Sequence, residues 1–449
     1  MIVPRSKLLW WVALGLLPLS LLAAFVPGVT GLVTILFLAA LLMFLVDAML
    51  AGRSLENLAV ELPPLLRFSK DRPANLELRF RGPGPKDRPL RLALALPETI
   101  VAEYEEQTVL LPGNNLWARA SWPCRPLRRG RFLLRSAHVE GPSPLGFWGA
   151  RGVLPLQTEI RVYPNLLRER NRLASLFLNR GVFGLHARRQ VGKGREFEKL
   201  REYLPGDGYE DIHWKATARR ARPITKVFQI EKTQEIYVIL DASRLSARVA
   251  EHARPAANES PETALERFVT AALVLGLAAE RQGDLFGLLA FTDRVEAFVR
   301  AKNGRAHYQA CRDALYTLQP REVTPDFDEV AAFIRLRLRR RALFFFLTAL
   351  DDPVLAESFV RNLDMLRRQH LILVNLLKPP FADPIFSDGQ VSTVDDIYAR
   401  LGGHLRWHSL RELEKVLQRR GVRLSLLDNE KLAADMVSQY LEIKRRQAL

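Results

Sequence analysis

Cysteine is scarce: the 449-residue chain holds two, Cys124 and Cys311. They can build neither a multi-disulfide scaffold nor a four-thiolate metal centre. Neither lies in a CxxC pair or beside a histidine, which suits a reducing compartment. Acidic residues are in short supply, 49 Asp and Glu against 66 Lys and Arg, for a formal net charge of +17. A phosphate loop is also missing. In "VGKGRE" the GxxxxGK[ST] frame would need Gly where Ala187 stands and Ser or Thr where Gly194 stands, so ATP binding through that motif is disfavoured. The cations are dispersed, with no zinc-finger spacing or other nucleic-acid motif, which favours a solvated surface over nucleic acid as partner. What is abundant is apolar surface. At 48% hydrophobic residues the chain is not globally disordered, and its length suits two soluble domains plus extras.

The apolar residues are concentrated at the start. Leu8 to Phe25 carries no charge, and Val29 to Leu50 carries only Asp47, near its end. A helix needs about 20 apolar residues to cross the hydrocarbon core, so residues 1–52 read as a transmembrane hairpin turning at Val26-Pro27-Gly28. Arg5 and Lys7 precede the first span and Arg53, Arg67, Lys70 and Arg72 follow the second, while the turn has no cation. Positive flanks stay inside, so the expected location is the inner membrane of the cell with the soluble domains cytoplasmic. A cleaved signal peptide is the competing reading of the first segment. Asp47 reads as a snorkelling or flanking acid rather than an ion site. The hairpin contributes only Arg5, Lys7 and Asp47 to the charge, so a strongly basic body is held beside the bilayer, where anionic lipid headgroups attract it.

Residues 53–165 alternate with period two in short runs such as "NLELRF", "LRLALAL" and "RFLLRSAHVE", punctuated by Pro and Gly, which predicts a small β-sandwich. No cluster there resembles a catalytic site. Gly141-Pro142-Ser143-Pro144-Leu145-Gly146 is turn-rich, and the adjoining Phe147 and Trp148 read as core or edge packing.

Residues 166–232 form a basic joint. Arg188, Arg189, Lys193, Arg195, Lys199 and Arg201 crowd one stretch; then come the turn Pro205-Gly206-Asp207-Gly208 and a short helix from Ile212, capped by Asp211. Arg219, Arg220 and Arg222 fall near its C-terminal end and Pro223 stops it. Asp207, Asp211 and His213 could act as acid-base or metal groups, but no fourth ligand of suitable type lies nearby. A capped helix whose His213 and Trp214 pack against the neighbouring sheet is the favoured reading. Lys215, Arg219 and Arg220 are candidates for partner binding beside them.

The string "GREFEKLREYLPGDGYEDIHWKATARRARPITKVFQIEK", followed by "EIYVILDAS", resembles the signature of the domain of unknown function 58 family of membrane-anchored prokaryotic proteins. The hairpin and "RRGRF…GPSPLGFW…RVYP" resemble the same family, so the likeness runs over nearly the whole chain. It implies a von Willebrand factor A-like domain after the motif and an association with MoxR-type AAA+ ATPases, and no established reaction.

The residues give the same architecture independently. From 233 to 449, apolar strands such as Glu235–Asp241, Asp284–Phe291 and Ala342–Thr348 alternate with helices, among them Pro353–Arg368 and Ser409–Arg420. That pattern specifies an α/β doubly wound, mainly parallel sheet covered on both faces. Ligands bind such sheets at the carboxyl ends of the strands, here Asp241, Ser243, Thr292, Asp293, Thr348 and Asp351. The family resemblance implies a divalent-ion site with a DxSxS loop. Asp241 and Ser243 begin that pattern, Leu245 breaks it, "NGRAHYQA" supplies no Thr, and Ala349 stands where an Asp is expected, with Asp351 two residues on. The site reads as degenerate, with no resident cofactor; Mg²⁺ is the weaker alternative, with Asp241, Ser243 and Asp351 as its candidate ligands.

The favoured function is a membrane-anchored, non-enzymatic scaffold that presents the A-like domain to a cytoplasmic partner such as a MoxR-type ATPase. The alternatives are a divalent-metal-dependent ligand-binding A domain, and a hydrolase or nuclease using Asp207, Asp211 and His213.

Overall fold

The computed structural model describes residues 1–53, 55–82, 87–112, 116–167, 169, 171, 191–205, 207–229, 234–249, 262–379, 382–385 and 393–446. Met1–Asn165 form one compact unit, and a second unit holds the joint and the C-terminal domain.

The first unit opens with a short strand, β1 (Ile2–Pro4), followed by helix α1 (Ser6–Phe25), π-helical over Val12–Leu16, and helix α2 (Thr30–Arg53). The 20 residues of α1 and the apolar stretch Thr30–Gly52 of α2 are each long and apolar enough to cross a membrane. Nine strands follow: β2 (Ala59–Glu61), β3 (Leu65–Ser69), β4 (Ala74–Arg81), β5 (Arg88–Leu94), β6 (Ile100–Ala102), β7 (Gln107–Leu111), β8 (Ala118–Pro126), β9 (Gly130–Pro142) and β10 (Trp148–Tyr163). They form two sheets, β1-β10-β9-β5-β7 with β3 parallel to β10, and β2-β4-β8-β6. Strict alternation explains the sandwich. Leu76, Leu78 and Phe80 of β4 point inward while Glu77, Arg79 and Arg81 point out, and the inward set meets Trp122 and Leu134 in one core.

The N-terminus is not confined to the hairpin. Ile2, Val3 and Pro4 pair antiparallel with Ala150, Gly149 and Trp148, so the chain enters the first span from the edge of the sandwich sheet. Asp47 is not a snorkelling acid either: it is fully buried against the turn that joins β9 to β10.

In the second unit, strands β11 (Val191–Glu202) and β12 (Ile224–Gln229) pair antiparallel as a separate two-stranded ribbon. Between them lie a 3-10 turn (Tyr209–Asp211) and helix α3 (Trp214–Arg220). Arg188 and Arg189, the side chains of Val191–Lys199, and Gly206 of the expected turn lie outside the described residues.

The C-terminal sheet has strands β13 (Glu235–Asp241), β14 (Leu285–Phe291), β15 (Val295–Lys302), β16 (Leu343–Thr348), β17 (Leu371–Leu377) and β18 (Arg423–Leu427) in the order β15-β14-β13-β16-β17-β18. All pairs are parallel except the edge pair β14–β15. Its helices are α4 (Ala264–Arg281), α5 (Arg305–Leu315), α6 (Phe327–Arg337), α7 (Pro353–Leu366), α8 (Val394–Arg419) and α9 (Leu432–Arg446). Ile236, Val238 and Leu240 face a core built with α4, α5 and α9; Tyr237 and Ile239 face one built with α6, α7 and α8. Burial on both faces is why β13 and β16 are continuous apolar runs. Helix α8 begins at Val394 rather than Ser409. A capping box between Thr393 and Asp396 starts it, and it runs through Gly402-Gly403.

Candidate functional site

Strand order reverses between β13 and β16, and the carboxyl ends at such a reversal form the usual ligand crevice of an open α/β sheet. Asp241 ends β13 and Thr348 ends β16. The Thr348 hydroxyl donates to Asp241 Oδ2 at 2.6 Å, and the Ser243 amide donates to Oδ1 at 2.8 Å. Both residues have no solvent exposure, so the crevice is closed at its base by this contact. Burial pushes the Asp241 carboxyl above its usual range, against the pull of its hydrogen bonds to Ser243 and Thr348.

The loop after Asp241 is held locally. Ser243 Oγ accepts from the Leu245 amide at 3.4 Å to cap the turn Arg244–Ala247, and the Ser246 hydroxyl donates to the Ser243 carbonyl at 2.8 Å. Leu245, where the metal-binding pattern needs a hydroxyl, is buried. At the end of β14, the Thr292 hydroxyl donates to Asp293 Oδ1 at 2.8 Å and approaches Glu296 Oε1 at 3.2 Å. That hydroxyl, with the charges of Arg294 and Arg321, holds the Asp293 carboxyl below its usual range. Glu296 is bridged by Arg294 at 3.3 Å and Arg321 at 2.9 Å, and Asp351 is ion-paired with Arg248.

These donors do not fit a divalent ion. The candidate ligands Asp241 and Ser243 are committed to hydrogen bonds within the loop and to Thr348, and Asp351 faces a guanidinium rather than an open position. Among the described residues no three His, Cys, Asp or Glu side chains converge as a metal cluster.

The candidate residues of the joint do not converge either. Asp207 accepts from the Leu204 amide at 3.0 Å and from Arg201 Nη2 at 2.7 Å, and these hold its carboxyl below the usual range. His213, not Asp211, caps the helix: its Nδ1 accepts from the Ala216 amide at 3.0 Å, and Asp211 lies in the preceding 3-10 turn. Trp214 does not pack against a sheet: it is 69% exposed, while Ile212 and Ile224 are buried. Lys215, Arg219 and Arg220 are exposed, the two arginines in the last helical turn.

The acids and hydroxyls at the strand ends are legible in the sequence, and the cations that meet them are not. Arg248, Arg294 and Arg321 come from three separate loops, and no spacing in the chain links them.

Residues 199–397 match the family described as Protein of unknown function DUF58. That segment belongs to the DUF58 family. The match takes in part of the joint and the sheet through β17, and includes neither the hairpin nor the sandwich. No curated protein matches the chain. Among solved structures, the chain is similar to the SpRpn10 VWA domain, at 13% identity over 46% of this chain and 95% of that one with a TM-score of 0.28. It is similar to the PilB minor pilin from Streptococcus sanguinis at 9% identity over 90% and 95%, TM-score 0.34. An aerotolerance-related membrane protein from Bacteroides fragilis matches at 12% identity over 46% and 97%, TM-score 0.28. Within the DUF58 segment, Asp207, Asp211 and His213 sit in the joint, and Asp241, Ser243 and Asp351 sit at the carboxyl end of the sheet.

Proposed function

We propose that the protein is a non-enzymatic scaffold, anchored in the inner membrane by α1 and α2, whose cytoplasmic α/β domain docks an acidic surface of a partner protein. One observation carries the reading. At the crevice, where an open α/β sheet would place catalytic or metal-binding groups, the acids and hydroxyls are engaged in internal bonds, and three arginines stand exposed there against one exposed acid, Asp293. The side chains of Arg248, Arg294 and Arg321 remain 53%, 66% and 49% exposed while paired with acids that are largely covered. Guanidinium groups already oriented by one carboxylate are pre-organised to take a second from a partner, with little further loss of side-chain freedom. A MoxR-type AAA+ ATPase is the partner class that the family resemblance implies.

The test is capture from solubilised membranes using the full chain. The wild type is expected to recover one partner in stoichiometric amount, and Arg294→Glu/Arg321→Glu to lose it, because charge reversal at the rim sets like charges against the partner. Equal recovery by that variant and by Asp241→Ala would rule out this face.

A further inference from the structure

Helix α8 buries the wrong side for its composition. Val394, Ile397, Tyr398, Leu401 and Leu405 recur at three- and four-residue spacing and form one stripe, yet they are 65%, 51%, 69%, 43% and 60% exposed. From Val394 to Ser409 the one buried residue is Gly403. Gly403, Leu410 and Leu417 are the buried positions of the helix, and at about 100° per residue they lie roughly half a turn away from the stripe. The C-terminal half of α8 therefore packs on the sheet, and the N-terminal half carries an apolar face directed away from its own domain.

We propose that this face docks on the same face of a second copy of the chain, as an antiparallel helix pair related by a two-fold axis between Arg400 and Leu401. Charge complementarity selects this occupant. Asp395 and Arg406 are both exposed and eleven residues apart, which returns them to the same flank of the stripe after about three turns. In an antiparallel pair, matching flanks meet. A two-fold at that position sets Asp395 opposite Arg406 of the other copy, and the symmetry makes the contact twice. The same axis brings Leu401 near its own counterpart and Tyr398 near Gly402 of the other copy. At Gly402 even a Cβ would meet nothing within 4 Å, leaving room for an incoming ring. An anionic membrane is a poor alternative occupant, since Asp395 and Asp396 offset Arg400 and Arg406 and leave this half of the helix with no net charge to draw it to the headgroups.

Five apolar side chains per copy make a contact smaller than the 1,200–2,000 Å² or so of a stable soluble interface, so pairing needs a raised local concentration. Confinement of both copies to one membrane supplies it, and this step rests on the anchoring proposed above.

The test is cross-linking in intact membranes with full-length Leu401→Cys and a short bismaleimide. Cys124 and Cys311 are buried, so the reagent reports on position 401. The expected result is a dimer band that falls by about tenfold or more with Arg406→Asp, where acids would face each other, and returns with Asp395→Arg/Arg406→Asp. A cysteine at Leu336, exposed on α6, should give no such band. Protein in the membrane pellet without a dimer overturns the pairing and leaves the anchoring intact; protein in the soluble fraction overturns the anchoring. A dimer unaffected by Arg406→Asp, or labelling of position 401 by a lipid probe in place of dimer, also overturns the pairing.

Discussion

Ser143 donates its hydroxyl to Asp47 Oδ2 at 2.6 Å, across 96 residues of sequence, and so ties the second apolar helix to the β9–β10 turn of the sandwich. The same hydroxyl accepts from the amides of Gly146 and Trp148, each at 3.1 Å, so its one proton and two lone pairs are all used. Asp47 also accepts from the amides of Leu145 at 3.0 Å and Phe147 at 3.3 Å. Trp148 donates its indole N–H to the Phe44 carbonyl at 2.9 Å, and the Phe147 ring meets Phe44 edge-on at 4.9 Å. From the first helix, Lys7 donates to the Leu145 carbonyl at 2.8 Å. Hairpin and sandwich are thereby one body, with the chain's first strand on the sheet at the same place.

Removing the carboxylate should be costly. Asp47→Ala leaves three donors facing an apolar site, and each stranded group costs about 1–3 kcal/mol, so a loss of at least about 2 kcal/mol is expected. Asp47→Asn should recover only part of it, because its amide N–H would face further donors. Ser143→Ala should fall between the two. Thermal unfolding of the detergent-solubilised full chain checks the order; equal melting temperatures for wild type and Asp47→Ala would show that the contact contributes nothing.

Glycine at position 287 is required by packing rather than by a turn. A Cβ built there would lie 2.4 Å from the Tyr237 ring and 2.8 Å from the Ala301 amide nitrogen, both within the sheet. The ring cannot retreat easily, since Tyr237 is fully buried and its hydroxyl accepts from that same Ala301 amide at 3.1 Å. Gly287→Ala is expected to destabilise by roughly 1–3 kcal/mol through overpacking, where an alanine in an ordinary strand would stabilise. The double variant Gly287→Ala/Tyr237→Phe should not regain wild-type stability, because the ring carbons rather than the hydroxyl make the clash; chemical denaturation with both variants separates the two.

Much of the fold was legible because period-two and continuous apolar runs report burial directly. The strands that those patterns predict at Asn75–Phe80 and Glu235–Asp241 lie within β4 and β13. Start signals read less well. Asp211 is a good cap by residue type, yet His213 caps the helix, because the bridge between Ile212 and Thr225 keeps Ile212 extended and delays the first turn. The helix expected from Ser409 starts earlier, at Val394, even though Gly402 and Gly403 each lower helix propensity by about 1 kcal/mol. The capping box at Thr393–Asp396 lies beyond them and starts the helix earlier. At the candidate site, Asp241 and Ser243 were readable from one short motif. Their partner Thr348 comes from 107 residues away, and the Arg248–Asp351 pair spans 103, separations that no local pattern encodes.

Burial of His370 makes an acid-sensitive contribution to stability. The imidazole is 4% exposed and stacks on Phe344 with ring centroids 4.3 Å apart, and among the described residues neither ring nitrogen has a hydrogen-bond partner. Burial lowers its pKa from 6.5 to about 4. The folded state therefore holds the neutral ring at pH values where the unfolded chain already binds a proton. Its contribution is fully present above pH 6.5 and is lost progressively as pH falls toward about 4, below which both states are protonated and the loss stops growing. His370→Phe keeps the stack and removes the titrating group. The difference in melting temperature between the variant and the full-length wild type should be constant above pH 6.5, shift in the variant's favour as pH falls from 6.5 to about 4, and stay level below that. A difference that does not change across this window would show that His370 titrates alike in the folded and unfolded chains.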